Sequence, residues 1–180
     1  MATYTGKIFG RDMSVEYTPS AAMSALVALR VIMGWILFQG GIVKLLNPDW
    51  TAAGYLTHAI PEGNPFAAQF GSMAGSPVID FLVPWGLTLT GIGLLVGALV
   101  RWNAFWAAFM MIMFWAASLT GGLAQGLPLE HGWVMDDHLV YTILLFALGA
   151  FGAGRLFGLD ATIERSEFVK QNAWLKWLLG

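Results

Sequence analysis

The sequence predicts an all-α protein: an integral membrane four-helix bundle with a long outer loop and a C-terminal interfacial amphipathic helix. Three observations carry that prediction. The 180 residues are 57% hydrophobic and only 11% charged, with a mean hydropathy of +0.66, too few polar groups to cover a surface in water. Apolar runs recur at about 21–44, 78–100, 102–119 and 137–157, lengths near the roughly 20 helical residues that cross about 30 Å of hydrocarbon. Between the first two lies a long Pro- and Gly-punctuated connection.

Composition also excludes. A net charge of −2 without a basic run argues against a nucleic-acid partner. The chain has no cysteine, so disulfides, thiolate metal sites, iron–sulfur ligation and thiol nucleophiles are not available to it. Three scattered histidines are too few to assert a zinc or haem site, so no metal is assigned and no bound cofactor is evident in the sequence. The first twenty residues read as a short tail, not a cleavable signal, because the first apolar run is full length.

The first span, Ala21 to Lys44, holds Arg30 halfway along it. Steps of seven place Arg30, Leu37 and Lys44 on one stripe, with Gly34 and Gly41 close beside it. The glycines admit a second helix at close range, so Arg30 faces protein and not lipid. An intramembrane charge is a functional-site candidate by default, and the alternative is a staple to a carboxylate or to backbone carbonyls. Lys44, at the helix end, either binds an anion with Arg30 or snorkels to the interface.

From Asn47 to Pro77 the chain carries four prolines and four glycines, with short helices expected over Trp50 to Ile60 and Pro65 to Met73. A re-entrant or interfacial element over the bundle mouth is the expectation, and His58 within it reads as a surface residue. The second span contains Gly93-Leu-Leu-Val-Gly97, a small-residue pattern for close packing. Arg101-Trp102-Asn103 makes a tight turn into the third span. There Met110, Met111 and Met113 with Phe109, Phe114 and Trp115 either line a flat quinone slot or fill core. A Gly-rich connection, Thr120 to Asp136, leads to the fourth span.

Asp137, His138 and Tyr141 open that span three and four residues apart, which brings a carboxylate, an imidazole and a phenol together. They could exchange protons near neutral pH, or simply cap a helix and sit in the interfacial belt. In the tail, Phe168, Leu175 and Leu178 share one helical side, the pattern of an interfacial helix. Seven of the nine cations, Lys7, Arg11, Arg101, Arg155, Arg165, Lys170 and Lys176, fall on the terminal side. Both termini are therefore expected in the cytoplasm of a multi-pass plasma-membrane protein, with Arg30 as the floor of an outward-opening cavity.

The chain resembles the DoxX/DoxD family of small four-helix membrane proteins. Leu29-Arg30 followed by Gly34, Phe38, Gly41 and Lys44 carries the resemblance, with Asn64-Pro65-Phe66, the run Gly91 to Arg101 before Ala104, and Gly152 to Asp160. The resemblance implies the larger, membrane subunit of a thiosulfate:quinone oxidoreductase, with quinone as co-substrate and a separate small DoxA-like subunit as partner. By their own chemistry, Arg30 and Lys44 suit the substrate-binding cations of such a reaction, and Arg30, Asp137, His138 and Tyr141 its catalytic groups. Two other functions stay open: a non-catalytic accessory subunit of a terminal oxidase or other respiratory complex, and a small anion carrier.

Overall fold

The computed structural model describes residues 1–120 and 135–180. A hairpin of β1 (Ala2–Ile8) and β2 (Arg11–Tyr17) precedes α1 (Pro19–Leu45); α2 (Ala53–His58) and α3 (Ala67–Ser72) lie in the long connection. Then come α4 (Pro77–Val96), α5 (Val100–Ser118) and α6 (Asp137–Ala150). A 3-10 turn (Ala153–Arg155), α7 (Asp160–Ile163), α8 (Glu167–Gln171) and a second 3-10 turn (Ala173–Trp177) close the chain. The chain is therefore mostly helical, and the all-α expectation is corrected at the N-terminus. Strict alternation in Thr-Tyr-Thr-Gly-Lys and Asp-Met-Ser-Val-Glu-Tyr, turning at Phe9-Gly10 with both φ positive, makes a two-residue hairpin of the expected tail.

The four long helices pack in up-down order, α1 on α4, α4 on α5 and α5 on α6, with α6 returning to α1. Met33 and Leu37 of α1, Leu87 and Leu94 of α4, and Met111 and Leu145 meet in the core. Gly34 and Gly41 make the α1–α4 approach possible: a Cβ on Gly34 would lie 2.8 Å from Leu95 N, and one on Gly41 2.7 Å from Pro84 O. Gly91 backs onto the Phe38 backbone at the same crossing. The Gly93/Gly97 pair serves differently. Gly93 makes room for Asn103 of α5, and Gly97, at φ 68°, ends α4 beside Gly158 and Arg30.

Outside, the helices are apolar: Ile32, Trp35, Phe81, Leu89, Phe105 and Phe146 are exposed. A continuous apolar exterior calls for lipid or a partner. By length and composition, α1 and α4 can each cross a membrane. Arg101 and Asn103 lower the hydropathy of α5, and α6 has 14 residues, about 21 Å of helix. The expected fourth apolar run stops early because Gly152 takes a left-handed conformation at φ 65°.

The tail is corrected as well. Ser166 caps α8 through the Val169 N–H and Asn172 ends it, so no single amphipathic helix forms. Val169 and Leu179 are buried in place of the expected Phe168 face. Leu178 O accepts from Trp102 N at 3.2 Å, which docks the tail on the start of α5.

Candidate functional site

Two polar centres sit at opposite ends of the helices. At the end shared by the α4–α5 turn and the tail, Arg30 is 2% exposed. Its Nη1 donates to the carbonyls of Ala153 and Leu156, the latter at 2.7 Å, and Nη2 donates to Phe157 O at 3.2 Å. Nε is buried without a partner among the described residues, so the two terminal nitrogens hold the side chain. These carbonyls belong to one hook of chain, Ala153 to Asp160, which can lie so close because Gly97 and Gly158 each leave the space a Cβ would take 2.9 Å from Nη1. Asp160, fully buried, closes the hook by accepting from Leu99 N (2.6 Å), Val100 N (3.0 Å) and Gly180 N (2.9 Å). Beside it, Arg155 bonds Glu164 at 2.8 Å, which holds the Glu164 carboxyl below its ordinary range and raises Arg155.

At the other end, Asp136 caps α6 by accepting from Leu139 N at 3.1 Å. Its second oxygen lies 2.7 Å from His138 Nδ1 and accepts from Ser118 Oγ, the last residue of α5, at 3.0 Å. Burial pushes the Asp136 carboxyl up, but the bonds from His138, Leu139 and Ser118 outweigh it and hold the group below the usual carboxylate range. Phe114 stacks edge-on against the imidazole at 5.9 Å. Tyr55 of α2 lies near enough that burial, and then the Asp136 charge, raise its phenol. Ligand atoms of Asp136, Asp137 and His138 fall within 4.8 Å of one another, a donor set that a cation can use.

The cover over this end is tied down twice. Asn64 Nδ2 donates to the carbonyls of Ala116, Ala117 and Leu119 at the end of α5. Asp80 accepts from Ala52 N and Thr51 Oγ1, both at 2.8 Å. Separately, an apolar groove of about 330 Å³ lies between α5 and α6, walled by Phe105, Phe109, Ile112, Ile143 and Phe146, with Thr142 as its polar lining residue. His138, Thr142 and Phe146 are four apart, so imidazole, hydroxyl and groove wall share one side of α6.

The expected residues separate accordingly. Arg30 turns away from Lys44's end into the hook instead of flooring a cavity that opens there, because backbone carbonyls give a buried guanidinium its hydrogen bonds. Lys44 donates to Gly40 O at 2.6 Å and lies 5.9 Å over the Trp50 ring. Asp137 is mostly exposed and 3.4 Å from His138, and Tyr141 packs against the core. Met110 and Met111 also face the core, while Phe109 lines the groove. His58 is exposed. Residues 121–134 of the Gly-rich connection lie outside the described residues. Asp136, Ser118, Tyr55 and Asp160 were not anticipated; an acid followed three residues on by an apolar run was the available sign for Asp136.

Residues 25–119 match the family model described as DoxX, more than half of the chain. The chain belongs to the DoxX family. Comparison with curated proteins and with solved structures finds no match. The DoxX region spans Arg30, the loop helices and Ser118; Asp136, His138 and the hook lie beyond it. DoxX membership and the apolar helices together make this a membrane-associated protein.

Proposed function

We propose that this DoxX protein is the membrane subunit of a quinone-linked oxidoreductase, a four-span bundle that oxidises thiosulfate to tetrathionate. The observation that carries the reading is the His138–Asp136 pair at the start of α6, one helical turn from Thr142, which lines the apolar groove between α5 and α6. Two thiosulfates joined by a new S–S bond release two electrons, and a quinone takes those electrons with two protons to become the quinol. The groove offers the isoprenoid tail a lipid-side slot, and His138, oriented by Asp136, offers the ring oxygen a proton donor. Ser118, donating to the same Asp136 oxygen, ties that pair to the end of α5.

Lys44, over Trp50, is the cation available to the thiosulfate dianion at that end, and a DoxA-like subunit or another respiratory subunit would complete the anion site. In this reading Arg30 reaches substrate only if the hook opens. The cations of the α4–α5 turn, hook and tail favour a cytoplasmic placement for their end, which leaves the His138 corner facing outward from the plasma membrane.

A second reading, a non-catalytic accessory subunit of a respiratory complex, is favoured by the hook, because Arg30 donates to its own chain's carbonyls. Thiosulfate-dependent reduction of a quinone analogue by the purified protein, with its co-purifying chains identified, separates the two. Saturable reduction supports the enzyme. No reduction, with haem-bearing oxidase subunits present, supports the accessory role.

A further inference from the structure

The register of the N-terminal hairpin sorts its side chains into two faces. Tyr4 pairs with Val15, Gly6 with Met13 and Ala2 with Tyr17, so one face is apolar and aromatic. Thr3 pairs with Glu16, Thr5 with Ser14 and Lys7 with Asp12, so the other is polar and charged. Tyr4, Met13, Val15 and Tyr17 are all exposed, as is Phe9 at the tip. A lone two-stranded hairpin is marginal in water, and this one leaves its apolar side uncovered.

We propose that the hairpin lies on the phospholipid interface, apolar face down, and so anchors the start of α1. The inference rests on α1 crossing the bilayer. Only Thr18 separates β2 from α1, so the hairpin is rooted where that helix leaves the membrane. At 27 residues α1 is about 40 Å long, which brings its first turn to the headgroups. Tyrosines prefer that depth, and Arg11, in register with the apolar face beside the tip, can reach a lipid phosphate. A second copy is the poorer occupant. A seven-residue, two-stranded face measures roughly 24 by 10 Å, so two copies would bury about 500 Å², half of the roughly 1,000 Å² that a stable interface needs.

Because the chain has no cysteine, single nitroxide labels can be placed cleanly. The full chain, reconstituted in phosphatidylcholine–phosphatidylglycerol vesicles, would carry Val15→Cys, Met13→Cys, Ser14→Cys or, as the reference within α1, Ile32→Cys. The expected result is that labels at Val15, Met13 and Ile32 collide preferentially with oxygen and the label at Ser14 with an aqueous nickel chelate. Nickel preference at both Val15 and Met13, with oxygen preference at Ile32, overturns the proposal alone. Exclusion of both reagents at Val15 and Met13 overturns it in favour of a protein cover. Nickel preference at Ile32 overturns the membrane reading of α1 and the anchor with it.

Discussion

Arg30 and Asp160 hold the same hook of chain from its two ends, and both do so through backbone groups. The guanidinium takes the carbonyls of Ala153, Leu156 and Phe157; the carboxylate takes the N–H groups of Leu99, Val100 and Gly180. A cation and an anion thus join α1, the α4–α5 turn and the end of the tail.

Replacing Arg30 by Met should cost several kcal/mol, since three carbonyls lose their donor and each buried group left unpaired costs about 1–3 kcal/mol. The measurement is thermal unfolding in detergent together with limited proteolysis of residues beyond 152. An unchanged midpoint and a protected tail, with thiosulfate-dependent activity lost, would show Arg30 to be an anion site and not an anchor.

Asp160→Asn keeps the shape but loses the charge on a group that accepts three N–H bonds, and about 2 kcal/mol should go with it. The double variant with Arg30→Met should fall short of the sum, because both changes free one hook. Strict additivity would mean that the two residues hold independent elements.

Neighbouring glycines of α1 should behave oppositely. A Cβ on Gly41 meets Thr88 N at 2.5 Å, whereas one on Gly40 meets only Leu87 Cδ1 at 3.9 Å. Gly41→Ala should destabilise by about 1–3 kcal/mol through overpacking, and Gly40→Ala should be neutral or stabilising by up to about 1 kcal/mol. Equal melting temperatures for the two variants would place the α1–α4 crossing elsewhere.

Asp136 sets an acid limit. Its folded carboxyl titrates below the unfolded value of about 3.9, so its stabilisation is complete above that pH and is lost as pH falls through the folded value. Melting temperatures from pH 7 to 3 should drop less steeply for Asp136→Asn, which keeps an N-cap without the titration. Parallel curves for the two proteins would remove Asp136 from the acid response.

In the enzyme reading, His138→Gln should lower kcat by about 10²–10⁴ with little change in fold. Ile143→Trp, filling the groove, should raise KM for a long-tailed quinone analogue more than for a tailless one. Equal effects on both analogues would take the groove out of quinone binding.

Much of this was readable because it is local. Apolar length marked the long helices, Pro and Gly bounded the loop helices near their observed places, and spacing put Gly34 and Gly41 at a close crossing. The hairpin was readable too, since alternation around Phe9-Gly10 is a period-2 signal. What could not be read was long-range. The Arg30 terminal nitrogens are held by carbonyls, which carry no residue identity, on a segment far along the chain. Asp136 and Asp137 are chemically alike, and only the extended backbone at Asp136 turns that carboxylate back to cap α6. The tail broke where Ser166 and Asn172 gave its backbone local partners.

The hook also orders events in time. Arg30 emerges from the ribosome 123 residues before Ala153, its first carbonyl partner. At 5–20 residues per second that is a delay of roughly 6–25 s. With α1 read as a membrane span, a charged side chain in the first hydrophobic helix must be kept hydrated or shielded by the insertion machinery throughout it. The first helix made is thus among the last to settle, and truncations that stop before the hook should leave α1 a substrate for membrane quality control.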